Sequence, residues 1–339
     1  GVVSTDGGFS FRGGRTREVA YIIDGIPVQD TYSQSVGNTL DLEVQSVQEL
    51  QVLTGTFDAE IGGAQSGVVN VTTVDPSSKL TGSITARFGD YYAGSDDIFI
   101  EGDKFNPVGS KDFSATFSGP ILKEKLGFFF TSRYEDRVGY LKGQNRFTAD
   151  DGVVFDAYRF WYRDVYSPDD ARLISLDTAR TPEGDMILDS NGNIITFGSG
   201  DNEVVNMDWR KAYTLNPKFV INTGSGSKLT LAGIYNTEEG QWYSDNSRYA
   251  PEGRSKYDNY ALTTIATYKQ AIGKDFVFNV RGSYKIRRDA TSAYDDFNDP
   301  NYQFFGYSDA TTGFSLGQTS NGRSKFEEDQ IIASGDALW

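Results

Sequence analysis

Neither cysteine nor histidine occurs among the 339 residues. Their absence removes a disulfide framework, a thiolate nucleophile, a Cys/His zinc site and a Ser-His-Asp triad. Carboxylate or lysine chemistry is left, and no convergent acid/base pair can be picked out from spacing. An enzyme is therefore the least supported reading, and no cofactor is expected. Long apolar runs are also missing, since none approaches the roughly 20 residues of a membrane-spanning helix. That excludes helical spans only, because a spanning strand needs about 9–11 residues and only every second one must be apolar. Positive charge is short: 32 Lys and Arg stand against 47 Asp and Glu, a net charge of -15. Such a balance opposes a phosphate-backbone partner. The lone Phe11-Arg12-Gly13-Gly14-Arg15 is too little in so acidic a chain to signal RNA binding.

What the chain does have is glycine and aromatics: Gly 37, Tyr 20 and Phe 23 against Pro 9. Aromatic and β-branched residues suit a pleated surface, and glycine permits tight corners, so the composition describes a β-rich chain with many turns. The length suggests two structural units, or one large β unit with a smaller one. Period-2 alternation recurs along the chain. Leu80, Gly82, Ile84, Ala86 and Phe88 share one face, with Thr81, Ser83, Thr85 and Arg87 on the other. Phe113, Ala115 and Phe117 alternate with Ser114, Thr116 and Ser118. Phe276 to Ile286 alternates with a second face wet enough for Asp275, Arg281 and Lys285. Further strands are expected over about 126–138, 209–222, 228–239, 258–270 and 326–339, about eight in all.

Alternation alone also fits a soluble sandwich, such as a carbohydrate-binding β protein. Connector lengths separate the two. Strands two and three are joined by Pro120-Ile121-Leu122-Lys123-Glu124-Lys125, four and five by residues 223–227, six and seven by 271–274. The other connections run for about 20, 70, 18 and 36 residues. Short and long connections taking turns is the pattern of outer-membrane barrels, with tight turns at one end and long loops at the other. A 70-residue connection is rare in a compact soluble domain. The long loops are acidic and aromatic, as in Asp150-Asp151, Asp164, Asp169-Asp170 and Phe160-Trp161-Tyr162. Residues 185–196 read as a hairpin on an Asn-Gly turn. A calcium site at Asp189, Asn191 and Asn193 lacks the bidentate Glu that would close it, so the turn is the better reading. Thr223 to Lys228 misses the P-loop spacing and reads as a turn.

The first 75 or so residues differ in texture. Val19 to Val28 is a buried strand turning at Asp24-Gly25, and Val44 to Leu53 is a second apolar run; both are too apolar on two faces for barrel wall and suggest a small unit with its own core. A junction follows at Asp75-Pro76-Ser77-Ser78. Within this segment, Phe11 to Arg15, Tyr21 to Val28, Val47 to Gly55, Phe57 to Gly62 and Ser66 to Thr73 resemble, in order and spacing, the plug domain of TonB-dependent outer-membrane transporters. Gly119 to Phe130 further resembles the first periplasmic hairpin of the Oar-like branch. Ile61 stands where the family usually has an aromatic, and Thr73-Val74 replaces a common Thr-Lys.

The resemblance implies a mainly β fold: a large transmembrane antiparallel β-barrel, of which only the first strands are present, with a small N-terminal α+β plug inside the lumen. The plug would occupy residues 1–76 and the barrel portion 77–339. It implies a bacterial outer-membrane location and active import of a ligand too large for porins. The implied partners are TonB with its ExbB/ExbD motor, outer-membrane lipid, an extracellular ligand such as a peptide or protein, and a surface lipoprotein or other outer-membrane subunit. A barrel of this kind needs about 22 strands, so the sequence is expected to be a portion of a longer polypeptide whose signal peptide and TonB box lie outside it. The plug motif residues carried over are Arg12, Gly13, Asp24, Gly25, Gly55, Glu60, Gly62, Gly67 and Asn70, with structural and gating roles. Gly62, Gly63 and Gly67 let backbone pass where a side chain would clash, and Arg12 and Glu60 are candidates for buried pairing. An adhesin or secretion-associated barrel of the same fold is the alternative.

Overall fold

In the computed structural model, described for residues 2–5, 8–11, 14–29, 42–54, 64–149, 200–224, 226–303, 314–315, 317 and 319–338, two sheets carry the architecture. The smaller begins after a hairpin of β1 (Val2–Thr5) and β2 (Gly8–Phe11). It contains β3 (Val19–Ile23), β4 (Ile26–Pro27), β5 (Val47–Leu53) and β6 (Gly67–Thr73) in the order β4-β3-β6-β5. β3 and β6 run parallel and are apolar on both faces, which buries them. The apolar run over Val44 to Leu53 supplies a turn at Val44–Ser46 and β5 of this small sheet. β5 is the outermost strand, with β6 as its one neighbour, and Leu50 is 57% exposed.

The larger sheet is an eight-stranded antiparallel arc. It comprises β7 (Thr81–Gly89), β8 (Ser110–Leu122), β9 (Leu126–Val138), β12 (Trp209–Gly224), β13 (Ser227–Gln241), β14 (Lys256–Ile272), β15 (Phe276–Ser292) and β16 (Ser324–Leu338). A short ribbon of β10 (Lys142–Gln144) and β11 (Val204–Asn206) stands in the longest connection. The tight turns all lie at one end of the arc. At the other end the long loops pack on one another: Phe147 and Ala250 are buried with Tyr249 against them, and the Arg146 guanidinium lies 5.1 Å from the Tyr249 ring centroid.

The register gives the arc two unlike faces. One carries Ile84, Phe113, Phe117, Phe219, Leu231, Val280, Tyr284 and Ile331 in neighbouring positions, with Ile84 75% and Ile331 81% exposed. Soluble monomers rarely expose contiguous apolar patches beyond a few hundred Å², so this face sets aside the soluble sandwich. Near its long-loop edge Tyr213, Tyr235 and Tyr260 stand in a row at ring separations of 6.0 and 5.6 Å, as in an interfacial aromatic girdle. The opposite face is polar, and the small sheet rests on it. No described helix is long and apolar enough to cross a membrane. Pro217 sits inside a central strand, where proline is unusual; it has no N–H to give, and the β12–β13 pairing skips from Leu215↔Tyr235 to Lys218↔Ala232.

Candidate functional site at the seam between plug and wall

The Asp24-Gly25 turn is where the small sheet meets the wall. Both residues have positive φ, 48° and 83°, which a two-residue hairpin turn requires and glycine meets at no steric cost. Gly25 also faces β15, because a Cβ there would lie 2.8 Å from Arg281 Nε. The Asp24 carboxylate accepts hydrogen bonds from the Thr73 N–H at 2.9 Å and the Thr73 hydroxyl at 2.5 Å, tying β3 to the end of β6. Beneath the turn, Tyr21, Ile23, Ile26, Val28, Val69 and Val71 form one apolar cluster with Ile234 and Ile265 of the wall.

Two wall lysines clamp this contact. Lys218 of β12, 6% exposed, donates to the Thr73 carbonyl and hydroxyl, both at 3.0 Å, and pairs with Asp75 at 2.9 Å and Asp24 at 3.8 Å. Lys285 of β15, 2% exposed, pairs with Glu328 of β16 at 2.9 Å and donates to the Gln29 carbonyl at 2.8 Å. Gln29 in turn bonds β3 through the Val19 carbonyl and the Tyr21 N–H. Burying an ammonium is costly unless it is paired and hydrogen-bonded, and both are. Asp75 also pairs with Lys228 at 2.7 Å. Partial burial works to raise its pKa, yet the hydrogen bonds from Lys228 and Lys218 hold the carboxyl below its ordinary value. A turn at Val44–Ser46 adds contacts: the Glu43 N–H donates to Asn216 Oδ1 at 3.2 Å, and the Thr116 hydroxyl donates to Gln45.

Towards the long loops, the same wall face carries a chain of opposite charges. Arg87 and Arg133 pair with Asp112 at 3.1 and 3.0 Å, and Arg210 joins Glu135 at 2.6 Å to Glu238 at 3.0 Å. Such a seam holds the small sheet to the wall through ion pairs and charge-assisted hydrogen bonds.

Of the residues singled out in the sequence, Asp24 and Gly25 lie at the seam. Gly67 is buried within the small sheet, where a Cβ would meet the Phe11 ring. Asn70 is half-buried in β6, opposite Ile22 and Gln51. Arg12, Gly13, Gly55, Glu60, Gly62 and Gly63, the loop positions from Asp150 to Asp170, and the hairpin with Asp189, Asn191 and Asn193 lie outside the described residues. Sequence reasoning missed Lys218, Lys285, Asp75 and Glu328. Their one signal is a long cation in the polar register at mid-strand, and a solvated lysine reads the same way.

Residues 2–69 match the family description TonB-dependent Receptor Plug Domain. The TonB-dependent transporter Oar of Myxococcus xanthus is 29% identical over 179 residues, taking in 45% of this chain and 16% of that polypeptide. Residues 2–69 thus carry the plug domain of TonB-dependent receptors. Its arc and small sheet superpose on the siderophore receptor PirA of Acinetobacter baumannii with a TM-score of 0.54 at 11% identity, over 97% of this chain and 38% of that one. A ferric enterobactin receptor (PfeA) mutant from Pseudomonas aeruginosa gives 0.53 at 14% identity, over 96% and 39%. These likenesses are of fold. The chain thus spans under two-fifths of these two solved structures and about a sixth of the curated relative. Members of the family are outer-membrane proteins and transporters or receptors rather than enzymes.

Proposed function

We propose that this receptor takes part in TonB-dependent import of a ligand too large for porins, with residues 1–76 as the plug and 77–339 as the first part of the barrel wall. TonB, driven by ExbB/ExbD, draws on the plug, and lipid of the outer membrane covers the apolar face. The observation that carries the reading is the fastening itself. The plug sheet sits on the polar face of the wall through two lysines and a patch of aliphatic side chains, contacts that are strong together and separable in turn. Acidic residues crowd the described loops, including Asp90, Asp96, Asp97, Asp103, Asp295, Asp296 and Asp299, with Tyr91, Tyr92 and Phe105 exposed among them. That lining favours a peptide or protein ligand with cationic and apolar parts, steered by opposite charge. A surface lipoprotein over the loops is compatible with this use.

The test is uptake of a fluorescently labelled pool of cationic tryptic peptides by cells with and without the full-length gene, each with and without a protonophore. Import predicts accumulation that needs both the gene and the energy source. Surface retention that ignores the protonophore, with nothing inside, would move the protein to the adhesin or secretion-associated reading.

A further inference from the structure

The apolar face of the wall, turned away from the plug, is not evenly filled. Across its middle, Pro217 of β12, Gly233 of β13, Thr264 and Ala266 of β14 and Gly282 and Tyr284 of β15 line an open groove of about 580 Å³, within the roughly 300–1,000 Å³ of small-ligand sites. These four strands are flanked by β9 on one side and β16 on the other, so each has both of its neighbours. The groove arises from register. Gly282 stands opposite Ala266, Tyr284 opposite Thr264, and Thr264 opposite Gly233, which gathers small side chains on adjacent strands. A Cβ on Gly282 would meet nothing within 4 Å. The two outward hydroxyls are spent: Thr264 donates to the Tyr284 carbonyl at 3.3 Å, and Tyr284 to Asp329 at 3.4 Å. A partner with polar anchors finds little to bond here, whereas a hydrocarbon chain needs no bond.

Depth and charge select the chain. Ala266 stands six residues above Ile272, the end of β14. That is about 20 Å of strand, a descent of about 15 Å at a tilt of about 40°. The descent matches half of the roughly 30 Å hydrocarbon core, the depth of one leaflet. Towards the turns Tyr268, Phe276 and Phe278 form a second aromatic group, with ring separations of 6.0 and 6.3 Å. Beyond it the short-turn end exposes Lys79, Lys123, Lys125 and Lys274 against Glu124 and Asp275, the reverse of the acidic loops at the other end. Lys125 is tied to the foot of β12, where the Asn222 N–H donates to its carbonyl at 2.7 Å. We propose that the wall holds one anionic phospholipid of the periplasmic leaflet, an acyl chain in the groove and the headgroup among the turn lysines. This rests on the reading that outer-membrane lipid covers the apolar face.

The test is native mass spectrometry of the full-length receptor in detergent, as isolated and after titration with palmitoyl-oleoyl phosphatidylglycerol or the matching phosphatidylcholine. The expected result is one phosphatidylglycerol per receptor, held at least about fivefold better than phosphatidylcholine. Gly282→Phe fills the groove from a position without neighbours, and Ala266→Leu fills it from the next strand. Each should lower retention of both lipids by more than about fivefold while heat-modifiable gel mobility stays that of a folded barrel. Replacing Lys123, Lys125 and Lys274 together with glutamine should keep the lipid but bring the two affinities within about twofold. Retention unchanged in both filling variants would overturn the inference. So would lipopolysaccharide in place of phospholipid, or a dimer that Gly282→Phe takes apart, which would give the groove to a second copy. A receptor that stays dissolved without detergent would instead sink the membrane reading, and this inference with it.

Discussion

Replacing Lys218 with methionine keeps the apolar stem and removes only the ammonium. Three losses lead, beside the longer Asp24 pair at 3.8 Å. The Thr73 carbonyl and hydroxyl each forfeit a bond to a charged donor at 3.0 Å, and the Asp75 pair at 2.9 Å is broken. The last is small, because Asp75 is half-exposed and keeps Lys228 at 2.7 Å. The Thr73 losses dominate at about 1.5 kcal/mol each, so the expected cost is about 3 kcal/mol. At 1.4 kcal/mol per decade, that is about a hundredfold rise in the local opening constant. Amide hydrogen exchange on the peptide containing Thr73 and Val74 reads it directly, since those N–H groups are held by Asp24 and the Ser46 carbonyl. The full-length receptor in detergent is the sample, and Lys269→Met, an exposed lysine of the same wall face, is the control. Protection falling by less than about threefold, or equally in the control, would refute the clamp.

Lys285→Met should be worse, costing about 3–5 kcal/mol in denaturant unfolding because it breaks the buried ion pair with Glu328 at 2.9 Å. Adding Glu328→Leu should recover most of that, and a double variant no better than the single would show that the pair is not the cause. For Asp75 the folded pKa is depressed, so its contribution is full above the unfolded value of about 3.9 and is lost as pH falls through the folded value. The protection factor of the Val74 amide, taken against the intrinsic exchange rate at each pH, should therefore be level from about pH 8 to 5 and fall below about pH 4, and Asp75→Asn should abolish that step while lowering the baseline protection.

Wall strands were legible because period-2 alternation survives burial on one face and lipid on the other. β14 runs Lys256–Ile272 where 258–270 was expected, and β13 runs Ser227–Gln241 where 228–239 was expected; both ends were shortened where polar residues extend a strand past the apolar band. β3 and its Asp24-Gly25 turn were equally plain, since a doubly apolar strand with a left-handed turn has few other uses. The lysine clamps were out of reach: their burial is made by the plug, so nothing local to β12 or β15 distinguishes Lys218 or Lys285 from Lys269. The plug resemblance was carried by the residues of the five blocks in their order, whereas the path of residues 74–80 after β6 is set by wall partners far off in sequence.

The chain of charges from Arg87 to Glu238 sets three arginines against three wall carboxylates on adjacent strands, and Glu43, from the turn ahead of β5, adds a fourth carboxylate beside Arg133 at 4.0 Å. That last pair joins the ion chain of the wall to the small sheet, so any displacement of the Glu43 turn alters the charge balance at Arg133.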